Sequence, residues 1–236
     1  MLTFYKNFYI ILIFCFLIFS CLPEREFNEK RELPEFTGIK CSNSVNVILN
    51  RGEFEKIAVR VIRGRTEDLI TEVNDGILNI YFDNASLFPM TGRKAELEIT
   101  MPDLQSIEAS GTSEVKGNTI FTVENIDLHS SGAARIVIEL DASNIFAQCS
   151  GGADISLIGK SKNIEIRASG GSDVSASRLT TTYAKVETSG GADVFLHVTD
   201  ELSATASGGS DIRYIGNPYR LDVNSSGGAD IKKVSE

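Results

Sequence analysis

Ser150-Gly-Gly-Ala-Asp154, Ser169-Gly-Gly-Ser-Asp173, Ser189-Gly-Gly-Ala-Asp193, Ser207-Gly-Gly-Ser-Asp211 and Ser226-Gly-Gly-Ala-Asp230 are copies of one phrase. Two shorter copies, Ser110-Gly111 and Ser131-Gly132, precede them, and successive Ser-Gly pairs are 21, 19, 19, 20, 18 and 19 residues apart. A short internal period of this kind marks a solenoid, in which each unit buries its apolar face only against its neighbours.

Counting back from each Ser-Gly gives the core. Five residues before the serine stand Ile126, Ile145, Ile164, Ala184, Leu202 and Leu221; three before, Leu128, Ala147, Ile166, Val186, Ala204 and Val223. One before stand Ser130, Cys149, Ala168, Thr188, Ala206 and Ser225. A spacing of two places these columns on one face of a strand. The loss of bulk toward Ser-Gly predicts a tight corner, where glycine accepts a positive φ and lets backbones pass closely. After the corner, Val115, Ile136, Ile155, Val174, Val194, Ile212 and Ile231 form another apolar column, which Leu157 and Leu196 continue. The expected unit is a coil of two or three short strands stacked about 4.8 Å from its neighbours. An antiparallel meander is the alternative, and the constant phase of the repeat favours the coil.

Upstream, Val45–Leu49, Ile57–Val61, Leu69–Val73, Leu78–Phe82 and Leu97–Met101 read as strands, and Asn74-Asp75-Gly76 as a hairpin turn. No helical period persists for three turns, so the expected class is all-β with almost no helix. The divisions expected are a signal peptide over 1–20, a lipidated tether over 21–35, an N-terminal β region over 36–104 and a Ser-Gly β-solenoid over 105–236.

The signal peptide rests on Phe8–Phe19, FYIILIFCFLIF, preceded by Lys6. The run is short for a transmembrane helix and suits a signal-peptide core. It ends Ser20-Cys21, which resembles the lipobox of bacterial lipoproteins. That resemblance implies cleavage before Cys21 and lipids on its amino group and thiol. Export permits disulfides, yet Cys149 occupies a column of small side chains and reads as a buried thiol rather than as a partner for Cys41.

A net charge of −9 over 236 residues argues against a nucleic-acid partner, which would need a clustered basic surface. The repeated acid, Asp154, Asp173, Asp193, Asp211 and Asp230, invites two readings. One is a ligand edge for cations or glycans; the simpler one is a turn former whose carboxylate accepts nearby backbone N–H bonds. These acids are equivalent by repeat, whereas catalysis needs unlike groups in unlike environments. His129 and His197, 68 residues apart at different repeat phases, offer neither a zinc site nor a serine–histidine system. No catalytic residue, metal site or cofactor is expected. Thr180–Thr182, Tyr183, Tyr214, Tyr219 and Arg220 are candidates for a polar–aromatic patch, against the simpler reading as ordinary loop side chains.

Phe36-Thr-Gly-Ile39 leading to Val45-Asn-Val47, then Gly76-Ile-Leu78-Asn-Ile80, Ile99-Thr-Met101-Pro102 and the Ser-Gly repeats together resemble the head GIN domain family of putative auto-transporter adhesins, common among Bacteroidota. The resemblance spans about 36–233. It implies a coil-like all-β fold on a secreted or lipid-anchored protein, and carries no catalytic residues. The expected function is that of a non-enzymatic cell-envelope lipoprotein, a surface binding or structural module. It would be held to a membrane, expected to be the outer membrane, by its N-terminal lipid and would meet glycan or protein. The alternatives are a carbohydrate-active enzyme on the same scaffold and a periplasmic assembly or stress factor.

Overall fold

The computed structural model describes residues 29–83 and 92–235; Cys21 and the apolar leader lie outside them. The chain begins with β1 (Glu29–Arg31), β2 (Gly38–Cys41), β3 (Val45–Arg51), β4 (Lys56–Arg63), β5 (Leu69–Asn74), β6 (Ile77–Phe82) and β7 (Lys94–Met101). It continues with β8 (Ser106–Ala109), β9 (Glu114–Gly117), β10 (Phe121–Ser130), β11 (Arg135–Gly151), β12 (Asp154–Gly170), β13 (Asp173–Thr188) and β14 (Asp193–Ala206). The last strands are β15 (Asp211–Ile215), β16 (Arg220–Ser225) and β17 (Asp230–Lys233). The helical content among the described residues is one 3-10 turn, Thr66–Asp68.

The strands stack in parallel as a β-solenoid. On the face before each Ser-Gly corner the order is β6, β2, β8, β10, then the second halves of β11 to β14, then β16. On the face after the corner it is β7, β3, β9, then the first halves of β11 to β14, β15 and β17. The middles of β10 to β13 form a short third face, through Val123, Ala142, Ser161 and Thr181. Register follows the repeat: Ile145 lies beside Ile164, and Ile164 beside Ala184.

The core columns are as the repeat predicts. Ile126, Ile145, Ile164, Ala184 and Leu202 are buried, as are Leu128, Ala147, Ile166, Val186 and Ala204. The post-corner column from Val115 to Ile212 is equally covered. Each large aliphatic side chain so buried stabilises the stack by roughly 1.5–3 kcal/mol relative to exposure. The expectation fails in the last coil. Leu221 is 49% and Val223 42% exposed, because no described strand stacks beyond β16 and a solenoid unit covers its core only through a neighbour.

Two further differences lie in the N-terminal half. The expected boundary between an N-terminal β region and the solenoid is absent from the packing. The coil β2–β3 stacks directly on β8–β9, while β6–β7 stacks on its other side. The outer end is then closed by antiparallel strands: β5 on β6, β4 on β7 and β1 on β4. The charged stretch expected to be a tether therefore folds in part. Glu29–Arg31 pairs with β4, and the Arg31 guanidinium donates to the Leu69 carbonyl at 2.8 Å and to Thr71 Oγ1 at 2.8 Å. Leu33 packs against the core and Phe36 lies within it. Strand alternation in the sequence places side chains; it says nothing of which strand a coil chooses as neighbour.

Candidate functional site

Each corner is held by the backbone. Gly152 N–H donates to the Gly132 carbonyl of the preceding coil at 2.8 Å, Gly171 to Gly151 at 2.7 Å, Gly191 to Gly170 at 2.7 Å and Gly209 to Gly190 at 2.7 Å. The last residue of each corner turns inward: Ser113, Ala134, Ala153, Ser172, Ala192 and Ser210 are buried, and Ala229 of the last coil is partly so. Where it is serine, its hydroxyl donates to a corner carbonyl, Ser113 Oγ to Ser110 at 2.7 Å and Ser210 Oγ to Ser207 at 2.9 Å. Where it is alanine, its own carbonyl can accept from across the corner: from Ser130 Oγ at 3.1 Å at Ala134, and from Cys149 Sγ at 3.1 Å at Ala153.

This wiring leaves the acidic column a different role from the turn-forming one expected. Asp154, Asp173, Asp193, Asp211 and Asp230 do stand in register, one per coil. Their own N–H groups bond to the coil before, Asp154 to Ala134 at 2.9 Å and Asp173 to Ala153 at 3.0 Å. Three of the carboxylates, however, accept from side chains and not from the corner backbone: Asp154 from Arg135 Nε at 3.0 Å, Asp211 from Arg213 at 3.0 Å and Asp230 from Lys232 at 2.9 Å. The backbone donors are already used between coils, which is why the carboxylates find none. Asp173, midway, is pushed above the ordinary aspartate value by partial desolvation and by the neighbouring Asp193 and Asp154 carboxylates. No three His, Cys, Asp or Glu side chains gather as metal ligands among the described residues.

The residues grouped as a polar–aromatic patch separate. Thr181 and Tyr214 are buried, Tyr183 is exposed before a corner, and Tyr219 with Arg220 stands at the last coil. His129 and His197 also part, His129 pairing with Gln148 and His197 with Ile215 on the other face. Cys41 and Cys149 are free, buried thiols. Burial pushes Cys41 up to about 12 and Cys149 to about 11, so neither is a nucleophile at neutral pH.

The outer surface of the pre-corner face carries what the sequence reading passed over. Six residues before the corner serines stand Asn125, Asn144, Asn163, Tyr183, Glu201 and Arg220. In the fold they form one row. Asn144 Nδ2 donates to Asn125 Oδ1 at 2.8 Å, and Asn163 Nδ2 to Asn144 Oδ1 at 2.7 Å, an exposed amide ladder along the solenoid axis. A second row two residues on runs Asp127, Phe146, Glu165, Lys185 and Ser203. The two rows line a groove of about 490 Å³ that crosses the coils from β10 to β14.

Phe146 is fixed in that groove. The Arg167 guanidinium lies over its ring at 5.6 Å and His129 meets it edge-on at 5.6 Å. Lys185 bonds Glu187 at 3.0 Å and Glu165 at 3.3 Å, while Arg167 bonds Glu165 at 2.8 Å. The hydrogen bond from Lys185 holds Glu187 below the ordinary glutamate value, and Glu187 with Glu165 raises Lys185. Such exposed pairs add little stability; as a network they set the direction of their side chains.

Solved structures share this fold. A "putative adhesin" from Bacteroides fragilis superposes with a TM-score of 0.81 at 20% identity, over 90% of this chain and 99% of that one. A "putative adhesin" from Parabacteroides distasonis gives 0.70 at 21% identity, over 87% and 95%. A "putative lipid binding protein" from the same species gives 0.70 at 16% identity, over 88% and 96%. No curated protein matches the chain. The sequence of residues 35–218 matches the family described as "Putative auto-transporter adhesin, head GIN domain", and the chain belongs to that family.

Proposed function

We propose that the protein is a non-enzymatic binding module of the bacterial cell envelope, held by lipid at Cys21, with the pre-corner face as its recognition surface. The observation that carries this reading is a contrast between columns. Inside, the two larger core columns vary in size but stay aliphatic throughout, Ile126 to Leu202 and Leu128 to Ala204. Outside, the row Asp127, Phe146, Glu165, Lys185, Ser203 changes chemistry at every step on a backbone that does not. A regular scaffold with a varied, ordered exterior suits recognition, as the extended surfaces of repeat proteins do. The family description and the adhesin-named neighbours support the same reading. The apolar run before Ser20-Cys21 supports the anchor, since two or more acyl chains give lasting attachment.

Two experiments test this. Metabolic labelling with a fatty-acid analogue should mark the wild type and not Cys21→Ser; equal label overturns the anchor. Beads bearing the protein should retain envelope fragments well above beads bearing an unrelated β-solenoid, and equal retention overturns the binding role. Protease shaving of intact cells then tells a surface-exposed form, which is cut, from a periplasmic one, which is not.

A further inference from the structure

We propose that the groove along the asparagine ladder binds a linear, neutral oligosaccharide lying parallel to the solenoid axis; the inference rests on the binding role above and names its ligand class. The ladder leaves part of its hydrogen-bonding capacity unused. Within it, Asn144 gives one amide hydrogen to Asn125 and takes one from Asn163. A primary amide has two donors and two acceptor positions. Each rung therefore keeps a donor and an acceptor for the groove, repeated at about the 4.8 Å spacing of the coils. Hydroxyl groups donate and accept alike, so a chain of sugar rings can use both at every rung.

The rest of the groove excludes other classes. Its rims carry Asp127, Glu165 and Glu201 against two cations, Lys185 and the Arg167 that lies over Phe146, both already paired with Glu165. A polyanion would meet carboxylates at a site that already lacks free positive charge. A lipid chain needs apolar floor, but Ile126, Ile145 and Ile164 are only 1–3% exposed. An added peptide strand needs open backbone groups, and here both edges of β11, β12 and β13 are paired. What remains is amide, carboxylate and two aromatic side chains, Phe146 and the exposed Tyr183. Carboxylates accept from sugar hydroxyls, amides do both, and ring faces cover the apolar C–H faces of pyranoses. The groove crosses five strands, β10 to β14, a length suited to a short oligosaccharide rather than to one sugar. The ladder is already ordered by its own hydrogen bonds, so binding would freeze few new rotamers.

The test uses the full chain, purified in a detergent without a sugar headgroup. It is titrated calorimetrically with neutral tetra- to hexasaccharides of β-linked glucose, N-acetylglucosamine, mannose and galactose. At least one series is expected to bind, more tightly as the oligomer lengthens. Asn144→Ala and Tyr183→Ala are each expected to weaken it about ten-fold, the worth of one good contact, with thermal midpoints near wild type. Thr205→Ala, exposed but outside the groove, should leave binding unchanged. No binding in any series, or binding unaltered by both groove substitutions, overturns the assignment. If envelope fragments are still retained on beads in either case, the glycan assignment fails alone. If retention is absent too, the binding role fails with it.

Discussion

The backbone of Gly170 lies directly on that of Gly151: a Cβ at Gly170 would stand 2.8 Å from the Gly151 carbonyl oxygen, and Gly170 has φ +78°. The relation recurs up the stack, Gly151 on Gly132, Gly190 on Gly170 and Gly208 on Gly190. It explains why the first glycine of each corner is required by conformation and by space together. The second glycine is different. A Cβ at Gly152 would lie 3.7 Å from the Gly132 oxygen, an ordinary contact, and its φ is not in the left-handed region.

Gly170→Ala should therefore cost at least the roughly 1–2 kcal/mol of placing an L-residue in the left-handed region, and more for the contact with Gly151. Gly152→Ala should stay within about 0.5 kcal/mol of wild type. Urea melts of the two variants decide it. Equal effects would mean that the corner relaxes and that the glycine stack is not what sets the coil spacing.

The strand phase is tested one coil up. Ile164 and Ile166 are buried at 3% and 0% exposure, and truncation of either to alanine should cost about 2–5 kcal/mol. Glu165, between them, faces outward with Arg167 and Lys185; Glu165→Ala should cost no more than about 1 kcal/mol, the range of exposed ion pairs. A denaturant series in which Glu165→Ala is the costliest of the three would overturn the assigned inside and outside.

Most of the solenoid was legible because its information is local and repeated. Columns at fixed distance from Ser-Gly gave Ile126 to Leu202 as core, and all are buried. The coil β2–β3 was not legible as a coil. Its corner is Ser42-Asn43-Ser44, with positive φ at Asn43 (58°) and Ser44 (62°), and it lacks the glycine that marks the others. The sign that would have found it is the small Cys41 before the corner with aliphatic Val47 and Leu49 after it, in the places that Cys149, Ile155 and Leu157 hold in a later coil. The order of the N-terminal strands could not be read at all, because neighbour choice in a stack is a contest among similar apolar edges. The asparagine ladder is legible in the sequence, since Asn125, Asn144 and Asn163 share one repeat phase; like residues in a row mark a ladder, whereas catalysis is marked by unlike ones.

The two described cysteines offer a probe of the whole stack. Cys41 and Cys149 are fully buried and their thiols are raised to about 12 and about 11, leaving almost no thiolate at pH 8. A thiol reagent such as iodoacetamide should label neither in the native protein, and both after denaturation in urea. Rapid native labelling of Cys149 would mean that the coils around it open locally.

Asp173 and Glu187 are shifted in opposite directions. Asp173 is raised above 3.8 by desolvation and by Asp193 and Asp154. The folded chain thus holds a proton that the unfolded chain has released, and stability falls as pH climbs from about the ordinary aspartate value through the raised one. Glu187 is lowered below 4.5, chiefly by its hydrogen bond from Lys185. Its contribution is present above the unfolded value and is lost as pH falls through the lowered one. At pH 7, Asp173→Asn should therefore raise the thermal midpoint and Glu187→Gln should lower it. Both effects are small, because the groups are exposed and screened by solvent. Well below the ordinary aspartate value the Asp173→Asn difference should vanish, since the carboxyl is then protonated in both states; the Glu187→Gln difference should fade as pH falls through the lowered Glu187 value. Melts of the two variants at pH 7 and in acid check the pair together. A fall in midpoint for Asp173→Asn at pH 7 would show that the carboxylate is held by a favourable contact, and that the acidic column stabilises the stack rather than straining it.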